Sequence, residues 1–502
     1  MLERSAKERP EAPALTDGRL RLTYRQLLGQ VRELAGSLAA VARPGDRVAL
    51  QVRRSAEYVV LYLAVLELGG TVVPMATDLS AQETARELAD CAPRLLVRDA
   101  EGARADVPAP PAHTAVLDIP VCASTEGDLR RLRSSCGTPG PVPSPPRDPE
   151  AAAVLLSTSG SFGLPKRVVL AHRAVLASAR AHRASLGPAA EPDTALATVP
   201  LGFGYCNTVQ LVGQLSTGGH VVLLDGDFLP SRFGRLVERH RVTSTLLVPA
   251  MLRLLGIGDW HRAYDLSSLR HIVFGGAPTP PGVLAAVQAR LPGAELIETY
   301  GQTEAGPRIT TLRQHDRARR PGSVGRAVPG MEITIRDEDF RPLPPGRLGE
   351  IVVRGDGLMT GYHARPEETA EVLRDGWLRT GDLGRLDDDG FLHLRGRLRN
   401  IAIVNGINVS LEEVEDCLTG HAAVAEAVCD VEGDERSGES LAARVRLADG
   451  RPAPSAEELI RFCRSRLSPH KVPRRIAVVE DFPRTRTGKV ARHAIPSRSR
   501  TT

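Results

Sequence analysis

The chain is predicted to be an α/β protein with a large N-terminal domain and a small C-terminal α+β domain. Helical and strand-like segments alternate over the first hundred residues and again from residue 150, which is typical of doubly wound parallel sheets. From Ile333 to Arg354 the pattern changes to short alternating strands, and this predicts a small antiparallel sheet or barrel. New strands and helices begin near Gly396–Asn400. We therefore place the domains at residues 1–396 and 397–502.

The first elements follow from local signals. Thr23-x-x-Gln26 is a capping box, and a helix with one apolar face should follow it, formed by Leu27, Val31, Leu34 and Leu38. Arg47–Val52 is predicted to be a strand. Ser55 is the predicted N-cap of a buried helix over Ala56–Leu68, which Gly69-Gly70 ends before the next strand at Val72-Val73.

Residues 102–149 are rich in proline and lack periodicity, so we expect an exposed connection there. Beyond it, the predicted strands are Ala195–Val199, His220–Leu224 and Thr243–Val248, and the predicted helices are Arg235–His240 and Gly282–Leu291. In the small domain, a capping box at Ser410-x-x-Glu413 should begin a helix that runs through Leu418, and residues 455–467 should form another.

Composition excludes several classes of function. The 502 residues include 65 basic and 60 acidic side chains, and no basic run predicts nucleic-acid binding. Seven scattered cysteines without metal-ligand spacing and without a visible signal peptide predict reduced thiols in the cytoplasm. No apolar run is long enough to predict a membrane span. Abundant Ala, Arg, Gly and Pro are typical of a GC-rich bacterial genome.

The stretch Ser157–Lys166 has the composition of a phosphate-binding loop. It follows the apolar run Ala151–Leu156 and precedes a second strand-like run, Arg167–Leu170, so we expect a hairpin whose tip lies over phosphates. Its glycines let backbone N–H groups approach phosphate oxygens, while hydroxyls and a lysine add donors. It is not a Walker A loop, and a flexible surface turn is the alternative. The candidate ligands are Thr158, Ser159, Gly160, Ser161, Phe162, Gly163 and Lys166.

Three more stretches carry groups suited to a nucleotide. In Tyr300-Gly301-Gln302-Thr303-Glu304, the tyrosine can stack on a purine, the threonine can contact a phosphate and the glutamate can bind Mg²⁺. In Phe274-Gly275-Gly276-Ala277-Pro278, two glycines at a strand end allow a flat ring to lie on the backbone. Asp382, in Thr380-Gly381-Asp382, can accept both ribose hydroxyls. A polar loop, a tight turn and an Asx turn are the respective alternatives.

In order and spacing these motifs resemble those of the adenylate-forming superfamily, which includes acyl-CoA synthetases, firefly luciferases and the adenylation domains of peptide synthetases. The phosphate loop resembles T-S-G-[ST]-T-G-x-P-K-G, and Tyr300–Glu304 resembles Y-G-x-T-E. The chain departs from the usual pattern at Phe162, where a hydroxyl residue is usual, and at Arg167, where glycine is usual.

The resemblance extends into the small domain, where it implies further roles. Gly396-Arg397-Leu398-Arg399-Asn400 resembles the interdomain hinge motif, so Arg397 is expected to contact the ribose and Arg399 to be the pivot of a mobile small domain. Pro483–Lys489 resembles P-x-T-x-x-G-K, so Lys489 is expected to bridge the substrate carboxylate and the α-phosphate. A solvated turn and a basic tail are the alternatives. Lys489, Thr303 and Lys166 are thus the candidate catalytic residues, and Gly275, Gly276, Ala277, Tyr300, Gly301, Gln302 and Asp382 complete the ATP site.

The implied reaction has two halves. A carboxylate attacks ATP·Mg²⁺ to give an acyl-adenylate and pyrophosphate, and a thiol of coenzyme A or of a carrier-protein phosphopantetheine then displaces AMP beside the Val404–Val409 loop. The alternatives are a stand-alone enzyme that loads a carrier protein, and a ligase of bacterial secondary metabolism that uses a nitrogen nucleophile or an inorganic acid. A nucleotide- or carrier-binding protein without turnover is the non-enzymatic alternative.

The acid is expected to lie against Phe203, Gly204, Tyr205 and Gly301. When this segment is compared with the corresponding one of amino-acid-activating domains, which it resembles, Gly204 stands where those domains carry an aspartate. No acidic residue occurs between Pro200 and Gly219. A standard α-amino acid is therefore disfavoured. Phe203 and Tyr205 could flank an aromatic or medium-length aliphatic acid, or could belong to the core.

Overall fold

The computed structural model describes residues 1–18, 20–100, 111–119, 140, 148–158, 166–187, 193–276, 279–397, 401–434, 438–448 and 452–483. These residues form four sheets, three in the large domain and one in the small domain, with helices packed on them. The α-helices longer than one turn are α1 (Leu2–Glu8), α2 (Tyr24–Leu38), α3 (Ala56–Glu67), α4 (Ala81–Cys91), α5 (His172–Ser185), α6 (Pro230–His240), α7 (Pro249–Leu255), α8 (Pro281–Arg290), α9 (Gln314–Arg319), α10 (Pro366–Val372), α11 (Leu411–Thr419) and α12 (Ala456–Arg464). A π-helix over Cys206–Gly213 continues into one α-helical turn at Gln214–Ser216.

The strands of the first half are β1 (Pro13–Asp17), β2 (Leu20–Thr23), β3 (Arg47–Gln51), β4 (Thr71–Pro74), β5 (Leu95–Asp99), β6 (Ala115–Ile119), β7 (Ala152–Thr158), β8 (Lys166–Ala171), β9 (Thr194–Ala197), β10 (His220–Leu223), β11 (Ser244–Leu247), β12 (His271–Gly275) and β13 (Glu295–Tyr300). Those of the second half are β14 (Thr310–Leu312), β15 (Arg326–Ala327), β16 (Met331–Arg336), β17 (Gly349–Gly355), β18 (Gly361–Tyr362), β19 (Leu373–Arg374), β20 (Trp377–Leu386), β21 (Leu392–Arg397), β22 (Ile401–Val404), β23 (Ile407–Ser410), β24 (Val424–Asp434), β25 (Gly438–Leu447) and β26 (Arg475–Val479).

Two mixed sheets form the centre of the large domain. One has the order β18-β8-β7-β4-β3-β5-β6, and its strands β7, β4, β3, β5 and β6 are parallel. The other has the order β15-β14-β13-β12-β11-β9-β10-β1-β2, with a parallel centre from β13 to β1. The carboxyl ends of parallel strands face the same edge of a sheet, where α/β proteins bind ligands.

The predicted doubly wound architecture is therefore confirmed. The α2 helix begins with the expected capping box at Thr23 and Gln26, and α3 begins at the expected cap, Ser55. Each of these signals lies within four residues of the helix that it starts, which is why sequence alone could locate it.

The segment predicted as an exposed connection contains a strand that was not foreseen. Ala115–Ile119 forms β6 and pairs in parallel with β5 at the edge of the seven-stranded sheet. Only Ile119 is buried, so an edge strand here lacks the apolar alternation by which a strand is recognised. Most of residues 102–149 lie outside the described ranges.

A small antiparallel sheet follows, as the alternation from Ile333 to Arg354 predicted. Its order is β16-β17-β20-β19, with β21 also paired to β20. The small domain has a sheet of its own, β23-β22-β25-β24, to which β26 adds in parallel beside β25. The helices α11 and α12 cover one separate apolar core that includes Val414, Leu418, Leu459 and Cys463. The exact boundary at residues 396 and 397 stays a prediction.

Candidate active site

The phosphate-loop stretch is held by a hairpin of the expected form. Strands β7 and β8 are antiparallel, and Thr158 lies opposite Lys166 where the strands end. The tip, Ser159–Pro165, lies outside the described residues. The Lys166 side chain is 5% exposed, forms an ion pair with Glu368 of α10 and lies with Nζ 4.8 Å from the centroid of the Tyr362 ring. Lys166 is thus fixed by a carboxylate and an aromatic face at the base of the loop.

Tyr362 joins this lysine to the expected magnesium ligand. Its hydroxyl donates to Glu304 Oε1 at 3.1 Å, and its ring faces Lys166 Nζ. Burial acts to raise the pKa of Glu368, but the hydrogen bonds and charges of Lys166 and Arg365 outweigh it and hold that pKa below its ordinary value. Sequence reasoning missed Tyr362 and Glu368, because only the pairing of β18 with β8 brings them here.

Arg167, which stands where glycine is usual, is a buried structural cation. Its side chain is 1% exposed, and it donates to Glu87 Oε2 at 2.6 Å and to the Pro74 carbonyl at 3.2 Å. The ion pair fixes β8, one residue after Lys166, to α4. The unusual residue therefore has its partner in this chain and supports the strand that carries the loop.

The predicted purine-binding and ribose-binding residues meet directly. Tyr300 ends β13, and its hydroxyl donates to Asp382 Oδ2 at 2.7 Å. Asp382 is 4% exposed, and its own N–H donates to Thr380 Oγ1. Arg397 lies opposite Asp382 in the pairing of β20 with β21. Residues from two sheets thereby converge on one point.

The glycine pair at the end of β12 lies against the small domain. A Cβ on Gly275 would lie 2.7 Å from Thr299 Oγ1, and Gly276 has φ +87°, so both positions favour glycine. A Cβ on Gly276 would have the Gly406 carbonyl oxygen as its nearest neighbour, at 3.7 Å. The turn between β22 and β23, which contains Gly406, thus reaches the carboxyl edge of the nine-stranded sheet.

The expected acid-binding segment lies beside the Thr303 turn. Gly204 faces Leu156 and Thr303, because an added Cβ would lie 2.8 Å from Leu156 Cδ1 and 3.8 Å from Thr303 Cγ2. The Tyr205 hydroxyl lies 2.8 Å from Thr299 Oγ1, and Phe203 is 38% exposed. A side chain at Gly301 would overlap the Pro307 carbonyl. Glycine at both positions therefore permits close packing around the turn that carries Thr303 and Glu304.

The two domains are joined by a buried charge cluster. Glu83, at the start of α4, accepts hydrogen bonds from Lys471 Nζ at 3.0 Å and from the Ser468 N–H at 3.1 Å. Lys471 Nζ also lies 2.8 Å from Glu413, and all three charged side chains are at most 10% exposed. Burial acts to raise the pKa of Glu83, yet Lys471 and hydrogen bonds hold it below its ordinary value. We name Glu83, Ser468, Lys471 and Glu413 the interdomain cluster.

Helix α4 carries three acidic residues on one face. Glu83, Glu87 and Asp90 follow the spacing i, i+4, i+7. They bind, in this order, Lys471 of the small domain, Arg167 beside the phosphate loop, and Arg365 next to α10 at 2.9 Å. Sequence reasoning missed this helix face, because its three partners lie far along the chain.

Several predicted site residues have no structural description. Ser159, Gly160, Ser161, Phe162, Gly163, Ala277, Arg399 and Lys489 lie outside the described residues. The side chain of Arg397 is likewise not described. Among the residues that the structure describes, no group of three or more His, Cys, Asp or Glu side chains is placed to hold a metal ion, and no helix is long and apolar enough to cross a membrane.

Family models match both parts of the chain. Residues 2–363 match the model of the AMP-binding enzyme, and residues 413–489 match that of the AMP-binding enzyme C-terminal domain. A feruloyl-CoA synthase from Amycolatopsis sp is 34% identical over 500 residues, which are 99% of this chain and 97% of the relative. A fatty acid–[acyl-carrier-protein] ligase, ScoC, from Streptomyces coeruleorubidus is 35% identical over 98% of this chain and 94% of its own.

Solved structures with the same fold cover nearly the whole chain. The amide bond synthetase McbA from Marinactinospora thermotolerans is 34% identical, covers 98% of each chain and has a TM-score of 0.85. A double mutant of o-succinylbenzoate CoA synthetase from Bacillus subtilis, bound to its product analogue, is 29% identical, covers 98% of this chain and 96% of its own, and has a TM-score of 0.87. The same enzyme with ATP and magnesium ion is 29% identical, covers 98% of each chain and has a TM-score of 0.71. Because family models and relatives match from the first element to the last strands, the chain belongs to the AMP-binding enzyme family, within the adenylate-forming superfamily.

Proposed function

We propose that this protein is an AMP-forming acid–thiol ligase that activates a carboxylic acid with ATP·Mg²⁺ and transfers the acyl group to coenzyme A. Two sets of contacts carry the proposal. The Tyr300 hydroxyl donates to Asp382, and Tyr362 contacts both Lys166, through its ring, and Glu304, through its hydroxyl. Groups suited to a purine, a ribose, phosphates and a divalent cation thus surround one edge of the nine-stranded sheet.

In the first half-reaction, a carboxylate oxygen of the acid bonds to the α-phosphorus of ATP, and the bond to the leaving pyrophosphate breaks. Lys166 and Thr158 flank the loop that would hold the pyrophosphate, and Thr303 would orient the α-phosphate. Lys489 would bring a positive charge to the carboxylate and the α-phosphate together, which stabilises the charge of the transition state.

Glu304 fits a magnesium ion that arrives with ATP. Mg²⁺ bound to a nucleotide needs one or two protein carboxylates, since phosphates and waters supply its other ligands. Glu304 provides one such carboxylate on the turn that also carries Thr303. The ion would neutralise phosphate charge, while Tyr362 holds the Glu304 side chain in place.

In the second half-reaction, the thiol sulfur bonds to the acyl carbon and AMP leaves. The position of Gly406 against Gly276 supports a small-domain orientation suited to this step. The higher TM-score with the product-analogue complex of the synthetase than with its ATP complex supports the same orientation. Coenzyme A is the proposed thiol. If the acceptor were a carrier protein or a nitrogen nucleophile instead, AMP formation would not depend on coenzyme A.

The test measures AMP formation from ATP with aliphatic, aryl and amino acids, each with and without coenzyme A. AMP that depends on one acid and on coenzyme A would support the proposal. Acid-dependent pyrophosphate exchange with no coenzyme A effect would favour another acceptor, and ATP binding without turnover on any acid would contradict a ligase. Lys489→Ala is expected to abolish adenylation while ATP binding persists, and Lys7→Ala, at an exposed lysine of α1, is the matched control.

A further inference from the structure

Arg308 is a buried cation at the end of the loop that carries Thr303. Its side chain is 1% exposed and is among the largest that are fully buried. One guanidinium nitrogen, Nη1, hydrogen-bonds to His182 Nδ1 of α5. The other two, Nε and Nη2, have no hydrogen-bond partner among the described residues. A guanidinium has five N–H donors, so most of its capacity is unused.

The charge of Arg308 is also unbalanced within the described part of the chain. His182 supplies no counter-charge, because an imidazole is never negatively charged in a protein; burial, followed by the charge of Arg308, lowers its pKa well below the ordinary value. Two other ionisable neighbours of Arg308 are Tyr205, a phenol whose pKa burial raises, and Arg313, a cation that repels it. Arg313 has its own partner, Glu295, at 2.6 Å.

An uncompensated buried charge is costly, because leaving water costs several kcal/mol that only an anion or hydrogen-bond acceptors can offset. Burial accordingly lowers the pKa of Arg308, but an arginine stays protonated in proteins. A group that enters with a ligand would supply the missing acceptor oxygens.

The surroundings of Arg308 show where such a ligand would lie. Tyr205 neighbours Arg308 and belongs to the segment whose Gly204 faces Thr303. Arg308 also lines a cavity of about 260 Å³ whose other walls are mostly small or apolar, such as Ala181 and Met331. Two further charged residues of opposite sign, Arg180 and Asp356, line the same cavity. An apolar cavity of about 150 Å³ holds benzene, so this volume suits a small ring or a short chain together with a carboxylate.

We propose that Arg308 binds a second carboxylate at the far end of the acid, so that the substrates of this enzyme are small dicarboxylic acids. This inference rests on the proposed function, because it names the class of acid that the same site activates. One carboxylate would react beside Thr303, and the other would accept from the free Nε and Nη2 donors of Arg308. Such charge-assisted pairs are short, directional and specific for carboxylates.

The test compares matched acids in the full-length enzyme. Adipate is paired with hexanoate, suberate with octanoate, and 4-carboxycinnamate with 4-methylcinnamate, and kcat/KM for AMP formation is measured for each. The wild type is expected to prefer the diacid at least about tenfold in one pair, since a hydrogen bond to a charged group contributes about 1.5–3 kcal/mol. Arg308→Met is expected to lose that preference and to keep the monoacid rate within about threefold.

Thermal unfolding without any acid separates recognition from structure. Arg308→Met is expected to be at least as stable as the wild type, because it removes an unpaired buried charge. Arg313→Met removes the nearby ion pair between Arg313 and Glu295. This variant is expected to lower the Tm and to leave the diacid preference unchanged. Arg308→Lys should retain part of the preference, since it keeps the charge without the planar fork.

Three results of these assays, and a fourth obtained with free anions, would overturn the inference while the ligase function stands. The first three are a preference for the monoacid in every pair, an equal loss of both rates in Arg308→Met, and a clear fall in the Tm of Arg308→Met. The fourth result is that free phosphate or succinate raises the Tm while the enzyme shows no kinetic preference between diacids and monoacids. Arg308 would then bind an anion that is not part of the acid substrate. If no acid of any kind yields AMP, the proposed function itself fails.

Discussion

Replacing Glu83 by glutamine should weaken the docking of the small domain without disturbing α4. Glutamine keeps the capping interaction in which the Glu83 side chain accepts from the Ser80 N–H, because Glu and Gln serve equally at that position. It removes the charge that faces Lys471 Nζ at 3.0 Å. Lys471 keeps Glu413 as a partner within its own domain. When the glutamine oxygen stays on the Ser80 N–H, its amide nitrogen can accept neither from Lys471 Nζ nor from the Ser468 N–H. The loss is therefore at least that of one charge-assisted hydrogen bond, about 2 kcal/mol.

A loss of about 2 kcal/mol corresponds to roughly a thirtyfold shift in the ratio of docked to undocked protein. The amide of Ser468 reports this ratio, because its N–H donates to Glu83 Oε1 across the domain boundary. Hydrogen exchange of that amide should become roughly thirtyfold faster in Glu83→Gln. Transfer of the acyl group from preformed acyl-adenylate to the thiol should slow, while pyrophosphate exchange should not.

Glu458→Gln is the matched control for this variant. Glu458 occupies the same position at the start of α12, where Ser455 caps the helix, and it is exposed. Exchange of the Ser468 amide should be unchanged in this control. Equal protection of that amide in Glu83→Gln and in the wild type would show that the buried ion pair contributes nothing to docking.

Three further variants test the site from other directions. Arg167→Gly leaves Glu87 buried without its cation and should cost about 3 kcal/mol, seen as a lower Tm; an unchanged Tm would show that Glu87 needs no partner. Gly275→Ala should also lower the Tm, because its Cβ would overlap Thr299, whereas Gly282→Ala has open space and should not; equal effects would contradict this account. Glu368 has a lowered pKa, so its stabilisation is present above its ordinary value of 4.5 and is lost as pH falls through the lowered one. The Tm difference between wild type and Glu368→Gln should therefore exist at neutral pH and close in acid, and a difference that persists at low pH would contradict the ion pair.

The fold was largely predictable because its signals are local. The capping box of α2, the dense apolar helix α3 and the hairpin that carries Lys166 each depend on residues a few positions apart. At the second predicted box, Ser410 caps α11 by accepting from the Glu413 N–H. The candidate site was predictable only as separate motifs. That Tyr300 donates to Asp382, 82 residues later, depends on the packing of two sheets, and no local pattern encodes it.

The residues that sequence reasoning missed act through distant partners. Tyr362 and Glu368 reach Lys166 only through the pairing of β18 with β8. Lys471 did carry an overlooked signal. Among 65 basic residues, lysine occupies only positions 7, 166, 471 and 489, so arginine serves almost everywhere else. A lysine in such a chain indicates a place where a compact ammonium group is needed.

The interdomain cluster restricts how this protein can be recombined with its relatives. In a chimera that takes its small domain from another member of the family, Glu83 of the large domain would face whatever residue that member carries in place of Lys471. If that residue is not a cation, the carboxylate is left without its partner, and the foreign domain would not be held in the docked orientation even though each half folds normally. Exchange of domains should therefore succeed when Glu83, Ser468 and Lys471 are transferred as a set.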